Sequence, residues 1–85
     1  MELEEIKKIP PKEAIDALNC ILESDPENEA AITLRGQKYW GLGLRKQAIN
    51  DYLSAIRINP DSPAKMLLEY SSSILDFYSK DLLNP

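Results

Sequence analysis

The sequence predicts an all-α protein made of antiparallel helix-turn-helix units. Its apolar residues recur at three- and four-residue spacing and do not alternate, which is typical of helices and not of strands. Proline and glycine fall between four periodic segments and mark where each helix ends. With 85 residues the chain lies at the low end of the single-domain range, so we expect one domain over residues 1–85.

The first two periodic segments form the amino-terminal half. Residues 12–24 carry one apolar stripe, which begins after Pro11 and ends before Asp25 and Pro26. Residues 27–40 carry a second stripe that ends at Gly41-Leu42-Gly43, where glycine lets the chain turn back. These two segments therefore predict a pair of helices.

Two further segments predict a third and a fourth helix. Residues 45–58 are periodic and end at Asn59-Pro60. Asp61-Ser62-Pro63 then offers a capping side chain followed by a proline at the first helical position, which indicates a helix start. The last helix is predicted to run to about Lys80.

Composition narrows the functional classes. Apolar residues make up 44% and charged residues 28%, as in folded proteins, and the formal net charge is -4. Acids exceed bases in residues 1–31, whereas bases exceed acids in residues 32–58, so charge is unevenly distributed. The acidic residues on the chain around this basic stretch argue against nucleic-acid binding. One cysteine, no signal-peptide pattern and no membrane-length apolar run favour a cytoplasmic protein without a membrane partner.

An internal repeat relates two of the segments. Residues 14–26 and 48–60 share the same internal spacing, with Ala-Ile at the start and Pro at the end of each. The first residues of the two segments and their last residues are separated by the same number of positions, so the segments align without a gap. This repeat indicates that the helices form similar successive pairs.

Residues 29–62 resemble a tetratricopeptide repeat, whose period of about 34 residues equals the offset between the two matching segments. The matching positions are Ile32, Gly36, Tyr39, Ala48, Tyr52, Ala55 and Pro60. Arg35 departs from the pattern, since leucine is usual there. The resemblance implies an α-α superhelix with a truncated first repeat in residues 1–26, a complete repeat in 27–61 and a carboxy-terminal capping helix and tail in 62–85.

The resemblance also implies a binding surface, because the first helices of successive tetratricopeptide pairs line a concave face that accepts extended or helical peptides. Carried onto this sequence, the partner-binding residues are Ala30, Thr33, Leu34, Gln37, Trp40, Leu67, Leu68 and Ser71. The expected function is therefore binding of a partner protein or peptide. For Trp40 the residue pattern itself favours a structural role, as a core or helix-end anchor, over a partner contact.

Self-association is the alternative function. Too many apolar residues follow Pro60 for one preceding helix pair to bury, and a twofold interface would cover them. The expected contact residues of this homodimer or scaffold are Leu75, Tyr78, Leu82 and Leu83.

Catalysis is the third and least favoured hypothesis, together with small-molecule binding. The sequence has no histidine and no glycine-rich phosphate loop, so it predicts no catalytic residue, no cofactor and no metal site. The acids Asp25, Glu27 and Glu29 are expected to be solvated near a helix start. Cys20 is expected to be a partly buried, inert thiol.

Overall fold

The computed structural model describes residues 1–79, with side chains for residues 1–71. Within that range the chain is all-α, as predicted, and contains no strand. Residues 1–79 form five helices, in chain order α1 (Leu3–Ile6), α2 (Pro11–Ser24), α3 (Glu29–Gly41), α4 (Arg45–Ile58) and α5 (Ala64–Ser79). The predicted helix bounds agree with these to within two residues. The one-turn helix α1 precedes the four helices predicted from periodicity and lies within residues 2–8, where at most a short helical stub was expected.

Side-chain caps set where α3 and α5 begin. The Asn28 side-chain carbonyl accepts a hydrogen bond from the Ala31 amide at 3.1 Å, so α3 begins at Glu29 and not at residue 27 as predicted. The Ser62 hydroxyl accepts one from the Ala64 amide at 3.1 Å, which agrees with the cap predicted there. Each cap satisfies an amide that has no partner within its own helix.

The turn between α3 and α4 depends on Gly43, whose φ is +79°. The Gly43 amide donates to the Trp40 carbonyl, and the Leu44 amide donates to the Tyr39 carbonyl, at 3.0 and 2.9 Å. This is the Schellman arrangement, in which a left-handed residue reverses the chain at a helix end. The turn directs α4 back along α3.

Two hydrophobic clusters share α3. The first joins α1, α2 and α3 and has Ile6 and Leu18 at its centre, both fully buried. The second joins α3, α4 and α5 around Tyr52, with Ala48, Ala55 and Ala64 fully buried beside it. Because α3 contributes Leu34 to the first cluster and Ile32 to the second, it connects the two halves of the core.

Helices α3 and α4 approach each other closely at Gly36. A Cβ atom placed on Gly36 would lie 2.7 Å from Cε1 and 2.9 Å from Cδ1 of the Tyr52 ring, and 3.1 Å from Cβ of Asp51. Carbon atoms do not pack at those distances. Only glycine therefore permits the observed packing of Tyr52 against α3.

Arg35, where the tetratricopeptide pattern has leucine, ties three helices together. Its guanidinium donates two hydrogen bonds to the carboxylate of Asp51 in α4, at 2.8 and 2.9 Å, and a third to the Asn19 side-chain carbonyl in α2 at 2.9 Å. Asp51 is buried, and this bidentate pairing compensates its charge. A polar clamp thus replaces an apolar contact on this side of α3.

The sequence repeat is visible in the backbone. α2 and α4 each have 14 residues, and both boundaries of α4 follow the matching boundaries of α2 at the same offset as in the sequence. Their ends are also alike, since Asp25 donates its amide to Ile21 and Asn59 donates its amide to Ala55, both at 2.9 Å. The sequence repeat therefore corresponds to a repeat in helix bounds and end geometry.

We expect Gly36→Ala to lower the free energy of unfolding by about 1 to 2 kcal/mol, because the steric cost at Tyr52 exceeds the gain in helix propensity. Urea denaturation followed by circular dichroism measures this change. Gly41→Ala is the matched control, because a Cβ atom there meets no atom within 4 Å. Equal stability of the two variants would contradict the role given to Gly36.

Candidate functional site

A groove of about 420 Å³ runs along one face of α3, between α1 and the start of α5. Its walls are formed by residues 3, 4 and 7 on one side and by residues 63 and 67 on the other. Five of the predicted partner-binding residues line it: Ala30, Thr33, Leu34, Gln37 and Leu67. The remaining three predicted residues lie elsewhere.

The floor of the groove is apolar and its rim is open. Leu34 is buried beneath it, whereas Ala30 and Gln37 are exposed on successive turns of α3. Residues i, i+4 and i+7 of a helix share a face, which is why one stripe of α3 can line the whole groove. An apolar side chain could contact the floor while the amide of Gln37 donates or accepts a hydrogen bond beside it.

Residues of α1 form a wall that sequence reasoning did not assign to the site. Leu3, Glu4 and Lys7 line the groove, and the Lys7 ammonium lies 2.9 Å from the Glu4 carboxylate. Both side chains are exposed, so the ion pair adds little stability. α1 is instead held by the burial of Ile6 and by the Lys38 ammonium, which donates to the Lys7 carbonyl at 2.7 Å.

Glu29 holds the opposite wall, and the prediction that it is a solvated acid is wrong. Its carboxylate accepts hydrogen bonds from the hydroxyls of Ser62 and Thr33, at 2.5 and 3.1 Å, and from the Asn59 amide at 3.3 Å. Asn59 and Ser62 belong to the loop between α4 and α5. Glu29 therefore fixes this loop to the start of α3 and positions Pro63 and Leu67 over the groove.

These hydrogen bonds change the acidity of Glu29. Donation from the Ser62 hydroxyl lowers the pKa of the Glu29 carboxyl below its ordinary value of 4.5, with smaller contributions from Asn59 and Thr33, while desolvation opposes the shift. Glu29 is therefore ionised at neutral pH, and its charged form stabilises the loop.

Three predicted partner-binding residues do not line the groove: Trp40, Leu68 and Ser71. Trp40 packs against the second hydrophobic cluster, and the Arg45 guanidinium lies 4.1 Å from the centre of its ring. This position agrees with the interpretation of Trp40 as a core or helix-end anchor. Leu68 also packs on the second cluster, and Ser71 is only 2% exposed, so a partner in the groove would not reach its hydroxyl.

The predicted self-association residues lie beyond the side chains that the structure describes. Leu75 and Tyr78 lie on the last turns of α5, whose side chains are not described, and Leu82 and Leu83 lie outside the described residues. Their contacts therefore stay predictions.

Cys20 is exposed on α2, so the prediction of a partly buried thiol is wrong. The cause is helical phase, because Leu18 and Ile21 turn inward and leave residue 20 on the outer face.

No group of three or more possible metal ligands forms among the described side chains. None of the helices within residues 1–79 is long and apolar enough to cross a membrane.

Comparison with known proteins identifies no relative: no protein-family model, no curated protein and no solved structure matches this chain. Function is therefore inferred from the groove, the helix repeat and the surface.

We expect Glu29→Gln to lower the free energy of unfolding at pH 7 by about 1 to 2 kcal/mol, because a neutral amide accepts these hydrogen bonds less strongly than a carboxylate. Since the pKa of Glu29 is lower in the folded state, its stabilisation is present above the ordinary pKa and is lost as pH falls through the folded-state pKa. The difference between wild type and variant should therefore shrink below pH 4.5.

Urea denaturation at a series of pH values measures that difference. Glu27→Gln is the control, because it neutralises an exposed carboxylate two residues earlier in the chain. A difference that stays constant through the acid range would show that the charge of Glu29 does not stabilise the loop.

Proposed function

We propose that this chain is a small protein-binding module of the tetratricopeptide type, which holds a segment of a partner protein in the groove along α3. The observation that carries the proposal is that five residues assigned to the inner face by the resemblance line one groove, with an apolar floor and an open rim. The segment would be extended or helical and would insert an apolar side chain against Leu34 and Leu67.

The helix repeat supports the tetratricopeptide arrangement. The equal lengths and matching ends of α2 and α4 are expected if each is the second helix of a pair. Packing of Tyr52 onto Gly36 is the contact expected between a small and a large residue at the centre of such a pair. α5 would then be the first helix of a following pair and would act as the cap.

The size of the groove favours contact with only a short segment of the partner. About 420 Å³ lies in the lower part of the range for binding sites, enough for a few side chains and not for a long segment. With a partner anchored at so few points, affinity would be modest and exchange fast. Such a module is suited to transient recognition.

Selection of peptides from a random library by the immobilised protein, followed by NMR titration of a selected peptide, tests this function. We expect shift changes centred on Ala30, Gln37 and Leu67. Ala30→Arg, which fills the groove from an exposed position, should weaken binding by about tenfold or more, since loss of one good apolar contact is worth about 1.4 kcal/mol or more.

Asn50→Arg is the matched control, because it adds the same side chain at an exposed site on α4. It should leave binding unchanged. Failure to select any peptide, or shift changes confined to another face, would refute the groove as the binding site.

Self-assembly through α5 is the second candidate function, and one observation favours it. Met66 and Tyr70 lie one turn apart on α5 and are 75% and 65% exposed. Their counterparts one repeat earlier, Ile32 and Gly36, are buried under α4. The face of α5 that corresponds to the buried face of α3 is thus exposed to solvent. α5 of a second copy would cover it.

Sedimentation velocity at high micromolar concentration tests self-assembly. Wild type should form a dimer that persists in high salt, since apolar burial is not screened. In high salt Tyr70→Lys should be monomeric, whereas Cys20→Lys, which adds a charge to an exposed site on α2, should dimerise as wild type does. A monomeric wild type would exclude this function.

A further inference from the structure

Antiparallel packing of the helices places many of the basic residues at one end of the molecule and many of the acidic residues at the other. One end contains the loop between α1 and α2 together with the turn between α3 and α4. The hydrogen bond from Lys38 to the Lys7 carbonyl joins these two segments, and the stacking of Arg45 on Trp40 adds the start of α4. We call this the basic end; its cationic residues are Lys7, Lys8, Lys12, Lys38, Arg45 and Lys46.

The opposite end is acidic. It contains the loop between α2 and α3 and the loop between α4 and α5, which the hydrogen bonds from Asn59 and Ser62 to Glu29 bring together. We call this the acidic end; its exposed carboxylates belong to Glu23, Asp25, Glu27 and Asp61. Two cations, Arg57 and Lys65, offset part of this charge.

The two ends are too far apart to neutralise each other. The helices that separate them have 13 or 14 residues, which corresponds to about 20 Å at the α-helical rise. This is more than twice the screening length of about 8 Å at physiological ionic strength. Each end therefore presents its charge to other molecules.

The basic end also has an apolar centre. Leu42 and Leu44 in the α3–α4 turn are 37% and 40% exposed, and half-buried Trp40 lies beside them. An apolar patch rimmed by charge is the usual composition of a protein interface. The acidic end offers exposed Pro26 and Pro60 among its carboxylates. The two ends are thus complementary in both charge and apolar contact.

We propose that the basic end of one copy binds the acidic end of a second copy, head to tail. A second copy is the favoured occupant because its acidic end supplies both the carboxylates and the exposed prolines that match the cations and the exposed leucines of the basic end. The contact does not use the exposed face of α5, and Lys7 is the one cation of the basic end that also lines the groove. Because the two surfaces are at opposite ends, association does not close on itself and extends into open chains.

Sedimentation velocity with two charge-reversed variants tests this inference, with reductant present because Cys20 is exposed. One variant carries Lys12→Glu and Lys46→Glu, and the other carries Glu23→Lys and Glu27→Lys; all four positions are exposed. Wild type should form larger species at about 20 mM salt than at about 500 mM salt, because screening weakens the contact between the charged ends. Each variant alone should associate at least about tenfold more weakly, since several ion pairs are lost.

An equimolar mixture of the two variants should associate again, because the unchanged basic end of one meets the unchanged acidic end of the other. A wild type no larger at low salt than at high salt, or a mixture no larger than its components, would overturn the inference. So would low-salt binding of RNA or anionic vesicles by a wild type that does not self-associate. Tyr70→Lys should retain the salt-dependent association, which separates this contact from assembly through α5.

Discussion

The close approach of α3 and α4 at Gly36 is the steric constraint on which the rest of the structure depends. The ring of Tyr52 occupies the space that a Cβ atom on residue 36 would need. This contact sets the separation of the two helices, and the buried alanines of α4 then fit around it. A larger separation would also stretch the hydrogen bonds between Arg35 and Asp51, because their side chains span the same interface.

The position of α5 depends on a second, polar constraint. Glu29 gathers hydrogen bonds from Thr33, Asn59 and Ser62, so one carboxylate aligns the loop that leads into α5. Ser62 donates to Glu29 and accepts from the Ala64 amide, and it thus connects this loop to the start of the helix. The width of the groove is therefore set by a hydrogen-bond network at one end, whereas its floor is set by apolar burial along α3.

Much of the fold could be predicted from sequence because its boundaries are local. Pro11, Gly43 and Ser62 act on the backbone within a few residues, and each marks an observed helix end. The site was harder to predict, because only tertiary packing brings Glu29 to its distant partners. The α1 wall was missed because a four-residue helix carries too little periodicity to assign a face. Trp40 was assigned to the inner face by its place in the repeat, but the neighbours of a residue near a helix end depend on the following turn.

The central place of α3 has a consequence for how the chain unfolds. Repeat proteins often lose their end units while the remainder stays folded, because each unit contacts only its neighbours. Here α3 contributes to both hydrophobic clusters, so neither cluster can persist once α3 melts. α1, at one edge, can open without disturbing the second cluster. We therefore expect local opening to be confined to the periphery, and the amides of α3 to exchange with solvent only through global unfolding.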